Sequence, residues 1–405
     1  MNRFSLVAAA LAVVAMSSAV LAQDFQVGAR AKGMGGSYTA FDDDPVSVWL
    51  NPAGTATQPL QIAIDYQTFT SYEPKDTNDN DFGRGHAKMN WTDPAILPSF
   101  LGIVVPIGSA DAPLTVGFAY IRPMQLTMVY GSTGNFGDGD ALEDQQFSRF
   151  RLSVAYDFRI AKEGFLTHVS VGAGVDMAIS RWFETFTPGA PPTGGALGDF
   201  TTRATSIGVG FGIGTLIGLY DNGEDLKINV GVAYQSRVDF NWEIDRSLFP
   251  VYNWPGMTNA GITVYLLKGM PLRVTVDGQW IDWKHACTPA DPGYLGFARS
   301  MRGVSNLSVG TEYRINVKED GSMSVSPRLG YRHVENMWTT TDPTRMPAVG
   351  ISQLAIESKG TAFHIFTFGG GLTWTSADGK ARSIDVGVEI NGDSPNFGFG
   401  YTHEF

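Results

Sequence analysis

The chain predicts an all-β fold, a transmembrane antiparallel β-barrel of about 14 strands with an N-terminal hatch (plug) inside the lumen. Three observations predict it. An export signal is followed by no apolar stretch long enough for a membrane helix. Apolar residues alternate with small or polar ones through most of the chain, and the last residues form an alternating aromatic strand.

The export signal occupies 1–22. Arg3 is the positive n-region, Phe4 to Met16 the apolar core, and Val20-Leu21-Ala22 the small-residue cleavage site, so Gln23 begins the mature chain. No Cys stands near the cut, unlike a lipoprotein signal. No later segment approaches the roughly 18 uninterrupted apolar residues of a spanning helix. An exported chain of this kind is secreted, periplasmic or a membrane barrel, because a closed barrel also satisfies every backbone group in lipid.

The period decides among these. In 226–240, Leu226, Ile228, Val230, Val232, Tyr234, Val238 and Phe240 share one face, and Lys227, Asn229, Gln235, Arg237 and Asp239 share the other with Gly231 and Ala233. Ordinary soluble strands run to about 5–6 residues, and this run is far longer. In 203–219, Ile207, Val209, Phe211 and Ile213 oppose Gly208, Gly210, Gly212 and Gly214. A membrane barrel turns such apolar faces to lipid and keeps small or polar residues inside.

Strands are expected near 60–70, 98–106, 113–131 (one kinked strand), 147–160, 165–181, 203–219, 226–241, 259–268, 271–283, 302–317, 323–336, 360–375, 382–390 and 396–405. Short turns such as AKEG, DNGED and KEDGS would lie at one end, and long loops near 71–97, 132–146, 182–202, 242–258, 284–301 and 337–359 at the other. In a bacterial barrel the short turns are periplasmic and the long loops external. At the C-terminus, Phe397, Phe399, Tyr401, His403 and Phe405 share one face. This looks like the signal read by the barrel-assembly machinery, with His403 departing from the usual pattern.

Bulk properties exclude other classes. Glycine numbers 48 and the formal charge is −11 without a basic block, which argues for glycine-rich walls and against nucleic acid. Cys287 is the single cysteine, so no internal disulfide framework is available, and it reads as an inert thiol. The six histidines lack metal spacing and no Ser/His/acid set stands out, so no metal, cofactor or catalysis is expected. DTNDND (76–81) lacks the Gly and Glu of a calcium loop.

Residues 23–58 have no strand period. Ala29 to Ala40 suits a short helical or irregular segment, and Asp42 to Asp44 before Pro45 can cap a second helix over 45–50, ended by Asn51-Pro52. The expected division is 1–22 signal peptide, 23–58 hatch and 59–405 barrel. Gly28-Ala29-Arg30-Ala31, Gly33-Met34-Gly35-Gly36, Ala40, Asp43-Asp44 and Asn51-Pro52-Ala53-Gly54 resemble the FadL/TodX family of outer-membrane proteins. The resemblance is strong over about 35 residues and architectural over the rest. It implies a 14-stranded barrel with a hatch bearing Arg30, Gly33, Met34, Gly35, Gly36, Asn51, Pro52 and Ala53. It also implies passive uptake of fatty acids, other lipids or aromatic hydrocarbons across the outer membrane, captured at external loops and released past the hatch or through a wall gap. Related barrels with the same motif bind protein partners in secretion systems.

Pro123 is the candidate wall kink, since proline removes a ladder donor; the edge of a turn is the alternative. Phe183, Phe186, Phe249 and Trp254, in expected external loops, are candidate ligand contacts or members of an interfacial aromatic belt. Arg237, Arg273 and Arg328 face the lumen by parity, to meet an anion or to pair with acids such as Asp239 or Asp277.

Overall fold

A chain whose alternate residues suit lipid on one side and a crowded interior on the other closes on itself, because closure leaves no unpaired edge in the membrane. The structure, a computed structural model, describes residues 27–67, 98–109, 113–130, 140–187, 200–243, 251–269, 271–288, 302–335, 362–391 and 394–405. The expected signal peptide (1–22), Phe249, the DTNDND stretch and most of the expected long-loop residues lie outside them.

The barrel is closed, antiparallel and 14-stranded. Its strands are β1 (Gln61–Gln67), β2 (Phe100–Pro106), β3 (Leu114–Tyr130), β4 (Asp140–Arg159), β5 (Gly164–Thr187), β6 (Phe200–Asp221) and β7 (Leu226–Gln235). There follow β8 (Met257–Leu266), β9 (Leu272–Ile281), β10 (Val304–Tyr313, continued by Ile315–Asn316), β11 (Met323–Val334), β12 (Phe363–Thr375), β13 (Ala381–Asn391) and β14 (Ser394–Glu404). Each pairs with its neighbours in sequence, and β14 returns to β1 in the register Gln61↔Glu404 to Gln67↔Gly398. The terminal Phe405 N–H donates to Leu60 O at 2.9 Å.

Burial follows the alternation. On β6, Ile207 and Val209 are 61% and 79% exposed to the outside, while Gly208, Gly210, Gly212 and Gly214 face inward. The exterior is apolar on other strands too, with Leu152, Val154, Val175, Leu329 and Phe399 exposed. Among the described residues no helix is long and apolar enough to cross a membrane; the strands do the crossing.

Two expectations need correction. Residues 140–146 and 182–187 extend β4 and β5 rather than forming loops, which leaves β4, β5 and β6 far longer than β7 to β10. The strand expected over 226–241 stops at Gln235. There the Ser236 N–H donates to Phe211 O (2.9 Å) and its hydroxyl accepts from Phe211 N (2.8 Å), and the chain turns into the lumen. Val238 and Phe240, assigned to the lipid face by period, are buried inside.

Candidate functional site

The residues ahead of β1 occupy the space inside the strands. Helix α1 (Ala29–Gly33) leads through Gly35 and Gly36, both at positive φ (67° and 77°), into an irregular stretch. Helix α2 (Ser47–Leu50) and a 3-10 turn (Pro52–Thr55) complete the segment. No Asp side chain caps α2, whose N-cap is Val46; the Asp44 carboxylate accepts from Val46 N at 2.9 Å instead. Asn51 caps the 3-10 turn by accepting from Ala53 N (3.2 Å) and donates to Thr39 O (2.8 Å).

Three kinds of contact seat this segment. The first is backbone against bare wall. A β-carbon at Gly172 would strike Pro52 and Ala53, at Gly231 Thr39, at Gly310 and Gly330 the backbone of Met34 and Gly35, and at Gly387 Ala29. These inward glycines come from β5, β7, β10, β11 and β13, so the segment is embraced from all round the ring. The wall also reaches its amides directly: Asp65 accepts from Ala29 N (2.6 Å), Asp277 from Tyr38 N and Thr39 N (2.6 and 2.7 Å), and Thr367 from Gly35 N (2.8 Å).

The second is a lattice of ion pairs. Arg30 grips Glu312 of β10 with Nε and Nη2 (2.9 and 2.8 Å) and reaches Asp43 at 3.2 Å. Glu312 also takes Arg328 at 2.6 Å, and Arg273 meets Asp43 at 2.5 Å. Lys32 and Arg332 share Glu389 (3.2 and 2.9 Å), and Lys227 holds Asp42 at 2.7 Å. Asp43 lies outside the spanning strands; burial alone would raise its carboxyl, but Arg273 and Arg30 hold it down to about 2.

The third contact is aromatic. The arms 236–243 and 251–256 run antiparallel inside the barrel, joined by reciprocal Val238–Trp254 backbone hydrogen bonds of 3.0 Å. Trp254, Phe147, Phe240, Ile281 and Trp283 form one buried cluster with Trp49 of α2. Trp49 and Trp254 meet edge to face at 5.9 Å, and the Arg149 guanidinium lies 5.1 Å from each ring. Arg151 lies 4.5 Å from Trp49 and donates to its carbonyl at 2.7 Å; Asp176 pairs with both arginines.

The hatch-motif residues therefore come together: Arg30 in the ion lattice, Gly33, Gly35, Met34 and Ala53 against wall glycines, Asn51 and Pro52 at the turn. Pro123 sits where β3 shifts register, between Ile121↔Arg149 and Met124↔Phe147, so β3 gains one residue on β4 and pairing resumes above it. Trp254 is buried in the lumen. Phe183 is not in a loop; it is on the outward face of β5 with Arg203 5.0 Å from its ring. Phe186 pairs with Ala141 and Phe200, its side chain outside the described residues. Arg237 is exposed and pairs with Asp239 at 2.8 Å rather than lining the lumen, because the chain has already left the sheet. Arg149, Arg151, Glu312 and Glu389 went unnamed in the sequence, although the inward parity of their strands marks them.

A closed 14-stranded barrel with an apolar exterior, filled by its own N-terminal segment, is a membrane barrel of the outer-membrane type. No family model and no curated protein matches the chain. Among solved structures it is similar to a Pseudomonas aeruginosa FadL homologue, at 14% identity over 94% of this chain and 99% of that one, TM-score 0.61. It is also similar to the Ralstonia pickettii toluene transporter TbuX (16%, 94% and 99%, TM-score 0.58) and to the Pseudomonas putida toluene transporter TodX (12%, 93% and 96%, TM-score 0.53). At these identities the likeness establishes the fold.

Proposed function

We propose that the protein is an outer-membrane channel for passive uptake of hydrophobic molecules such as long-chain fatty acids or aromatic hydrocarbons, and not an enzyme. Residues 23–58 act as the hatch, and Pro123 marks the wall kink beside a lateral exit. The observation that carries this reading is the buried aromatic cluster of Trp49, Trp254, Phe147 and Phe240 inside the lumen, where a water-filled pore would carry polar walls. That TbuX and TodX are described as toluene transporters supports it. Of the candidate ligand contacts, Trp254 stands in the path, while Phe183 would meet a ligand only from the lipid side. The short-turn end is then periplasmic, and the barrel-assembly machinery reads β14.

Native mass spectrometry of the protein purified from its host membrane tests the reading. A retained fatty acid or hydrocarbon is the expected result. A co-purifying protein with no small-molecule ligand would favour the alternative, a structural barrel serving a secretion system.

A further inference from the structure

Alternate residues of β8, β9 and β10 face the lumen, and strand register sets two rows of them side by side. Asn259 stands opposite Gln279, which stands opposite Asn306. Two residues along, Gly261 stands opposite Asp277, which stands opposite Ser308. This oxygen-bearing patch and the N-terminal segment, through Ala31, Thr39 and Leu50, line a cavity of about 30 Å³. By the water-sized measure of such spaces, that is room for about two waters.

Asp277 and Asn259 are each only 4% exposed. Asp277 Oδ2 accepts from Tyr38 N and Thr39 N, whereas its Oδ1 has no hydrogen-bond partner. That oxygen lies over Gly261, where a β-carbon would fall 2.0 Å from it. Asn259 Oδ1 has no hydrogen-bond partner either. Gln279 Oε1 accepts from Asn306 Nδ2 at 3.1 Å and keeps a second lone pair. Glu312, Glu389 and Asp176 each hold a guanidinium, but no Lys or Arg nitrogen pairs with Asp277 among the described residues. Arg332, on β11 opposite Ser308, also lines the cavity and pairs with Glu389 at 2.9 Å.

A buried carboxylate without a countercharge is strongly disfavoured, and acceptors that face acceptors do not relieve one another. Water could donate to these oxygens but would bring no charge. A hard cation answers both needs, because carboxylate and amide oxygens are its preferred ligands. One carboxylate among neutral groups balances one positive charge; a divalent ion would leave an excess in a low dielectric.

We propose that this cavity is a binding site for a monovalent cation of sodium's kind, held by Asp277 Oδ1 and Asn259 Oδ1 with Gln279 Oε1 beside them. Asp277 also grips the amides of Tyr38 and Thr39, so the ion ties the N-terminal segment to β8 and β9. The site is independent of what the barrel carries. Histidine spacing gave no hint of it, because its ligands are oxygens that meet only through strand register.

Thermal unfolding of the full-length protein in detergent tests the site, with sodium, calcium or choline chloride supplied at constant ionic strength. A saturable rise in the midpoint with sodium, absent with calcium and with choline, is expected, because an ion that binds only the folded barrel stabilises it. Asn259→Ala should raise the half-saturating sodium concentration about tenfold or more, since ligand number and charge set affinity. Asn259→Asp, which adds a second carboxylate, should transfer the response to calcium. Equal midpoints in sodium and choline would mean that Asp277 carries a proton or the cavity holds only water, and would overturn the site. A calcium response in the native protein overturns the charge argument. A sodium response that Asn259→Ala leaves unchanged comes from elsewhere and also overturns it. Gln279→Ala, at a half-buried position, supplies the same reading should Asn259→Ala fail to assemble.

Discussion

Single residues carry much of the specification of this lumen. Gly330 is the plainest example, since any side chain there meets the Met34–Gly35 peptide. Gly330→Val is expected to cost about 1–3 kcal/mol through overpacking and to expose the N-terminal segment to protease; an unchanged digestion pattern would contradict the seating described. Glu312 faces three guanidiniums, Arg30, Arg273 and Arg328. Glu312→Ala should therefore cost about 3–5 kcal/mol in denaturant titrations of the detergent-solubilised protein, as expected for a buried network losing the anion that all three guanidiniums share. Asp43 sets an acid limit on the same lattice. Its carboxyl is lowered to about 2, so its contribution is present above the ordinary carboxylate value of about 3.9 and is lost as pH falls through about 2. Its side chain is 35% exposed, so water screens part of this effect. Pepsin should leave the N-terminal segment intact at pH 4 and cleave it near pH 2. The wall glycines were visible in the sequence as one face of an alternating pattern. What they adjoin was not, because a missing side chain suits a tight turn, a smooth pore or a docked peptide equally well.

At the scale of elements, the strands were the most legible part, because lipid demands an apolar face at every second position over each strand. The failure over 226–241 has a definite cause. Val238 and Phe240 keep the period after the chain has left the sheet, and an apolar residue suits packed interior as well as lipid. The turning point is set by Ser236 capping Phe211, an ordinary serine with no special sequence mark. The lengths of β4 and β5 were underestimated because 140–146 and 182–187 extend past the apolar band, where polar outward residues such as Gln146 and Thr185 look like loop. The last strand is bound at both edges, to β13 and β1, and Phe405 adds the bond to Leu60 that completes the seam. Removing Phe405 is expected to lower the fraction of protein that assembles, measured as the band that changes mobility on boiling in a denaturing gel. An undiminished band would assign β14 a passive role.

For the molecule as a whole, closure and filling are one problem. A sheet of 14 strands encloses more volume than its own inward side chains occupy, and here those inward positions are often glycine, which widens the space further. The N-terminal segment fits because wall and segment were reduced together. The barrel was foreseeable from period and turn spacing, and the segment from its broken period and its motif. Their mutual fit became visible only with strand register, which brings Gly172 to Ala53 and Gly330 to Gly35 across long separations in the chain.

Those bare seats impose an order of events. Ala29 is held near β13 and β14, Thr39 near β7, and Ala53 near β5, so the segment meets opposite walls at once. Backbone seated against backbone on several sides has no clearance for threading through a finished ring. The N-terminal stretch must already lie between the strands when β1 meets β14, serving as the mandrel on which the sheet is rolled. A peptide of residues 23–58 added to a preassembled barrel lacking them should therefore fail to recover the protease-resistant seat, although the same residues joined to the chain find it.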